Sequence, residues 1–296
     1  MLAAAPAAWG TVSGANGPMA FVRYLTCPSN PSLSGLQIYR LAADGTGLKN
    51  LSQSVCAGDS DAFPVWSPDG SKIAFDRRGP HGFEHVFVMN ADGTGQTQLT
   101  RGTSYEYGYI TWSPTGNQIA FSPESGSIWI MNANGSDPTE VPNTTQADNL
   151  WRIAWSPDGS RIAFSADITG NEVDLYTITT SGTDLTDLTP GSGFDWEGAD
   201  WSPSGRQLLT TRCAQHAGCN DSGVWTVNAD GSGQAALTSA GTSAFDGAPV
   251  WAPNGVKIAF GGASGGTFGI VTMNAHGSNQ SLFAAGSEPS WGVPFR

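Results

Sequence analysis

Trp66-Ser67-Pro68-Asp69-Gly70-Ser71-Lys72-Ile73-Ala74-Phe75 decides the fold, because this ten-residue pattern returns four more times. The copies are WSPTGNQIAF at Trp112–Phe121, WSPDGSRIAF at Trp155–Phe164, WSPSGRQLLT at Trp201–Thr210 and WAPNGVKIAF at Trp251–Phe260. Their tryptophans are 46, 43, 46 and 50 residues apart, a period that signals a repeat architecture. Within each copy, proline presets φ for the first corner of a tight turn and glycine accepts the positive φ that follows, so Trp66 and Ile73 lie on paired strands.

A second unit interleaves with the first: IYRLAADGTG from Ile38, VFVMNADGTG from Val86, IWIMNANGSD from Ile128, LYTITTSGTD from Leu175, VWTVNADGSG from Val224 and IVTMNAHGSN from Ile270. Its apolar run lacks alternation, which predicts a strand buried on both faces, and Asn-Ala-Asp-Gly turns it into the next strand. Each repeat therefore holds four strands. Six copies of this unit against five of the first leave a mismatch that the chain ends resolve. Pro18-Met19-Ala20-Phe21 has the tail of the first unit without its tryptophan, and Ser290-Trp291-Gly292 has the tryptophan without its tail. The expected architecture is all-β: a six-bladed β-propeller of four-stranded antiparallel blades over residues 18–296, closed by the C-terminal strand joining the N-terminal blade, which removes the exposed sheet edges. Residues 1–17, rich in Ala and outside the repeats, read as a leader remnant or flexible N-terminal tail.

These repeats resemble the TolB-like propeller family, relatives of the WD-repeat propellers. The resemblance spans about residues 18–296 and implies a stand-alone propeller, without the α/β domain that precedes the propeller in the family's namesake. The fold carries binding proteins, lyases and lactonases alike, so it does not by itself name an activity.

Composition narrows the choice. The chain has 296 residues, 13 basic against 25 acidic, for a net charge of -12; a nucleic-acid partner is excluded because phosphate binding needs clustered Lys and Arg. No apolar run approaches the roughly 18 residues of a membrane span, and a monomer is expected. Cys213 and Cys219 flank a short loop that suits a local disulfide, and Cys27 with Cys56 forms a second candidate pair. Paired cysteines point to an oxidising compartment, the periplasm or the cell exterior.

Strand direction splits the loops between two faces. The SPDG and NADG turns share one face, short and alike from repeat to repeat. The other face receives the blade-to-blade connections and the loops between second and third strands, which vary, and variable loops on a rigid scaffold are where recognition is expected. Acidic residues recur where each connection enters an innermost strand: Asp61, Glu106, Asp148, Asp195, Glu197, Asp246 and Glu288. Converging there, Asp61, Asp195 and Asp246 could hold a hard divalent ion such as Ca²⁺; capping of turns by the same carboxylates is the plainer alternative. No other cofactor is expected. Tyr105, Tyr107, Tyr109, Trp151 and Trp196 open the same strands, and Arg152 lies among them; Arg77, Arg78, His81 and His85 of one repeat and Arg212 and His216 of another add basic groups. Rings beside charges form a groove for a protein, peptide or glycan, so the expected role is a binding or scaffold module. The rival is a metal-dependent hydrolase or lyase acting on a saccharide or lactone. The string Gly262-Ala263-Ser264-Gly265-Gly266 matches a nucleophile elbow in letters only, since no helix is expected after it.

Overall fold

The structure, a computed structural model, describes residues 16–101, 106–123, 126–144, 148–168, 172–214, 222–239, 249–264 and 266–293, with backbone alone at 106–108 and 148–149. It is a propeller of six four-stranded antiparallel sheets. Blade two runs Ser60–Trp66, Lys72–Arg78, Glu84–Asn90 and Thr97–Gln98. Blades three to six follow with innermost strands Glu106–Trp112, Asp148–Trp155, Phe194–Trp201 and Val250–Trp251. Blade one is built from both chain ends: Ser287–Trp291 lies innermost, beside Met19–Cys27, Asn30–Leu41 and Lys49–Asn50.

The closure is a genuine strand pairing. Met19 faces Trp291 and Ala20 faces Ser290 across the ladder, Gly292 donates its N–H to the Pro18 carbonyl at 2.9 Å, and Gly17 donates to the Gly292 carbonyl at 3.1 Å. The Trp291 indole N–H reaches the Gly17 carbonyl at 3.1 Å, which draws Gly17, at the edge of the expected tail, into the closing seam.

The turns behave as their residues dictate. Gly70, at φ 71°, donates its N–H to the Ser67 carbonyl at 2.9 Å; Asp69 accepts from the Ser71 N–H at 3.0 Å and from the Ser67 hydroxyl at 2.7 Å. Burial pushes the Asp69 carboxyl up, yet these hydrogen bonds outweigh it and hold the group below its ordinary value. A feature not read from the sequence closes the third strands: the hydroxyls of Ser52, Thr100, Thr144, Thr189 and Thr238 accept the N–H of Ile38, Val86, Ile128, Leu175 and Val224 at 2.9–3.0 Å.

Packing lies between blades rather than within them. The apolar clusters are each shared by two neighbours: Ala74, Val86 and Leu99 of blade two meet Ile110, Trp112 and Phe121 of blade three, and Met19, Phe21 and Leu41 of blade one meet Ala259 and Ile270 of blade six. No blade can bury that surface alone, so the ring is the folding unit. Cys27 and Cys56 form a disulfide that ties blade one to its outgoing connection. Cys213 is disulfide-bonded as well; its expected partner Cys219 lies outside the described residues. Among the described residues no helix is long and apolar enough to cross a membrane.

Candidate binding site in the central tunnel

Each innermost strand should alternate its side chains between two faces, but a bulge interrupts the alternation. The pairing register slips between Ala62 and Val65 in blade two, Tyr107 and Ile110 in blade three, Trp151 and Ile153 in blade four, and Glu197 and Asp200 in blade five; the closing strand slips likewise between Ser287 and Ser290. In blades two, four and five and in the closing strand the extra residue falls three places before the tryptophan and adopts positive φ: 49° at Phe63, 32° at Arg152, 85° at Gly198 and 51° at Glu288. Left-handed backbone at a non-glycine residue is strained and persists where the surroundings hold it in place, commonly at functional positions.

The consequence is a shared tunnel wall. Phe63, Tyr109, Arg152, Asp200, Glu288 and Val250, one from every blade, line a cavity of about 170 Å³. Glu288 Oε2 accepts the Phe63 N–H at 2.7 Å, and Asp200 Oδ2 accepts the Trp251 N–H at 2.7 Å. Burial pushes the Asp200 carboxyl up to about 7, against the pull of that N–H and of Arg152. Burial also lowers the Arg152 guanidinium from its ordinary value, while Glu288, Tyr109 and Asp200 oppose the shift. Arg152 and Asp200 keep part of their surface on the tunnel lumen although they lie deep in the molecule.

Beside the bulge, the residue just before each tryptophan alternates around the ring. Ser290, Thr111 and Asp200 of blades one, three and five use their side chains to accept the backbone N–H of Trp66, Trp155 and Trp251. Blades two, four and six carry Val65, Ala154 and Val250 instead. Val65 and Ala154 offer carbonyls, which take the indole N–H of Trp112 and Trp201 at 3.1 and 3.2 Å.

The residues nominated from sequence scatter more widely than a single mouth. Asp61 is fully buried; Arg77 grips its two oxygens at 2.6 and 2.9 Å and the Ser54 hydroxyl donates at 2.7 Å. It does not face the channel, because the bulge turns it to the Trp66 side of the strand, against blade one. Trp196 is fully buried for the same reason and donates its indole N–H to Ser192 Oγ at 2.8 Å. Asp195 Oδ1 accepts the Val173 N–H at 3.1 Å, a cap on the neighbouring loop. Glu106, Tyr107 and Asp148 pair by backbone with Pro123, Ser122 and Asp167. Arg78 and His81 are exposed and His85 is half-buried on the rim of blade two. Arg212 stacks in blade five. Asp246 and His216 lie outside the described residues. Among the described residues no three His, Cys, Asp or Glu side chains are close enough together to hold a metal. Of the residues named from sequence, Tyr109, Arg152 and Glu288 line the cavity; Asp200, Phe63 and Ser290 were not named.

A family model described as TolB beta propeller domain matches residues 110–295. Among curated proteins, the Tol-Pal system protein TolB of Gluconobacter oxydans is 47% identical over 64 residues, 22% of this chain and 14% of that protein. The Tol-Pal system protein TolB of Geobacter sulfurreducens is 35% identical over 80 residues, 27% of this chain and 17% of that protein. The matched stretches thus span less than a fifth of those relatives. In solved structures, TolB from Acinetobacter baumannii superposes with a TM-score of 0.77 at 19% identity, covering 94% of this chain and 67% of that one. A chain of the nidogen/laminin complex gives 0.70 at 12% identity, covering 93% and 98%; both likenesses are of fold.

Proposed function

Because this chain belongs to the TolB β-propeller domain family, we propose that it is a protein-binding module of an oxidising compartment, the periplasm or cell exterior, which holds a partner on its variable-loop face and receives one of the partner's side chains or a chain end in the tunnel. The observation that carries this reading is the strained ring of tunnel residues, Phe63, Arg152 and Glu288, held in left-handed backbone around a cavity of about 170 Å³. That volume is below the roughly 300–1,000 Å³ of a small-molecule site, so a sugar chain fits it less well than one protruding protein group. Arg152, Glu288 and Asp200 offer that group both signs of charge, with the rings of Phe63 and Tyr109 beside them. The Cys27–Cys56 disulfide supports the compartment.

The test is capture from an envelope extract with immobilised full chain, compared with Arg152→Ala and Phe63→Ala, and identification of what is lost. A partner held by the native chain and released at least tenfold by the tunnel variants is expected. Equal capture by all three, or turnover of a glycan or lactone with stoichiometric metal in the purified protein, overturns the reading.

A further inference from the structure

The repeats allow one blade to serve as a template for another. Arg77 and Arg212 stand at one register, each eleven residues after the tryptophan of its blade. Each faces, across the first and second strands, the residue five before that tryptophan: Asp61 for Arg77 and Trp196 for Arg212. Each guanidinium also stacks on the aromatic at one register of the third strand, Phe87 at 4.9 Å and Trp225 at 3.5 Å. In blade two the cradle is complete within the chain, since Asp61 accepts two parallel N–H bonds from Arg77. Blade five keeps the arginine and the stack but has an indole where the carboxylate stood.

The stack in blade five is the tighter one. Arg212 is sandwiched between Trp225 and Phe194, the latter at 3.9 Å, with Trp196 at 5.6 Å. These rings crowd the guanidinium and shed water where they touch it, so its N–H donors must recover hydrogen bonds along the rest of its edge. Among the described residues no carboxylate pairs with it, and burial alone lowers its pKa, with no acidic neighbour opposing. The side chain is half-buried at the end of the Gln207–Ala214 strand, where the loop to the third strand begins on the variable face.

We propose that Arg212, clamped between Phe194 and Trp225, is a binding site for a carboxylate supplied from outside the chain, an Asp or Glu side chain of the partner, taken edge-on as Arg77 takes Asp61. The ring clamp fixes the fork before the ligand arrives, so little rotamer freedom is lost on binding, and two parallel charge-assisted bonds give the site its preference for a planar oxyanion. This deepens the binding-module reading and rests on it for the source of the carboxylate, but the chemistry of the site is testable without any partner.

The experiment follows the arginine Nε–Hε resonances of the ¹⁵N-labelled full chain during titration with sodium acetate, with sodium chloride and inorganic phosphate as parallel arms at constant ionic strength. The Arg212 resonance, identified by its absence in Arg212→Lys, is expected to shift saturably with acetate, at least tenfold more tightly than that of exposed Arg78. Arg212→Lys keeps the charge and loses the fork, and should retain the melting temperature while another reporter, Trp225 fluorescence, loses its acetate response tenfold or more. No saturable shift at Arg212, an equal shift at Arg78, or chloride matching acetate overturns the site. Phosphate binding more tightly than acetate overturns the carboxylate assignment. Should Arg212→Lys fail to fold, the native titration with triple-resonance assignment decides alone. A positive titration beside failed partner capture leaves this site standing and removes the binding-module reading.

Discussion

Two glycines at one turn position separate backbone strain from blade contact. Gly45 and Gly231 both follow Asp in the turn between third and fourth strands, at φ 83° and 85°. A Cβ at Gly45 meets nothing within 4 Å, whereas a Cβ at Gly231 falls 2.6 Å from the Leu188 carbonyl oxygen and 3.2 Å from its Cα, on the outermost edge of the preceding blade. Gly45→Ala therefore suffers the left-handed conformation alone, about 1–2 kcal/mol. Gly231→Ala adds a clash with backbone that cannot rotate away, at about 1–3 kcal/mol, and the two blades must part slightly to relieve it. With about 2–4 °C per kcal/mol for a domain approaching this size, Gly45→Ala should melt roughly 2–8 °C below the native chain and Gly231→Ala roughly 4–20 °C below it. Urea unfolding followed by tryptophan fluorescence should give a lower midpoint with unchanged slope in both. Equal losses in the two variants would falsify the view that these turns are keyed against the neighbouring blade.

The remaining perturbations probe charge, crosslink and closure. Asp200 binds its proton more tightly in the folded chain, with a pKa of about 7, than in the unfolded one; native stability therefore falls as pH rises from about 4 to about 7. Asp200→Asn should remove that slope and gain stability relative to the native chain at pH 8, by calorimetry, while matching it below pH 4; a slope that survives refutes the assignment. Asp61→Ala strands half-buried Arg77 without its carboxylate and should destabilise by about 3–5 kcal/mol, whereas replacing both residues should lose less than the sum of the single changes; additive losses would count against a coupled pair. Replacing Cys27 and Cys56, separated by 29 residues, by serine should remove about 3–4 kcal/mol on the chain-entropy model, read as a urea midpoint below that of the native chain. Deleting Ser287 onward removes the innermost strand of blade one and exposes the Met19–Cys27 edge, so a loss of cooperative melting with concentration-dependent association is expected in light scattering; a sharp, monomeric transition would contradict closure.

The blade count, the closure and the turn chemistry were legible because each is written in residues whose local conformation is nearly obligatory: proline and glycine in the turns, and a tryptophan at one end of the chain lacking the tail found at the other. The facing of the innermost strands was not. Asp61 and Trp196 read as channel-mouth residues because they stand where a connection enters an innermost strand, and strict alternation would put the residue five before each tryptophan on the side opposite it. One bulged residue reverses that parity, and the buried Asp61, Leu150 and Trp196 all end up on the side of their own tryptophan, against the preceding blade. A signal was present: Pro64, Pro249 and Pro289 sit two places before Trp66, Trp251 and Trp291, and proline inside an otherwise regular strand marks an interrupted ladder. Asp200 was passed over because nothing local distinguishes it; its role depends on the Trp251 N–H, 51 residues further on.

The tunnel's chemistry is therefore a property of the closed ring rather than of any repeat. Arg152 comes from blade four, Asp200 from blade five, and Glu288 from the strand that the far end of the chain lends to blade one. Glu288 is held by the Phe63 N–H of blade two, so the same strand that seals the propeller also delivers a carboxylate opposing the desolvation of Arg152. An unclosed ring would carry Arg152 without that counter-charge and with its bulge unsupported from across the lumen. Closure and assembly of the tunnel are consequently one event, and any substitution that loosens the Met19–Trp291 pairing should weaken partner capture even though neither residue needs to touch the partner.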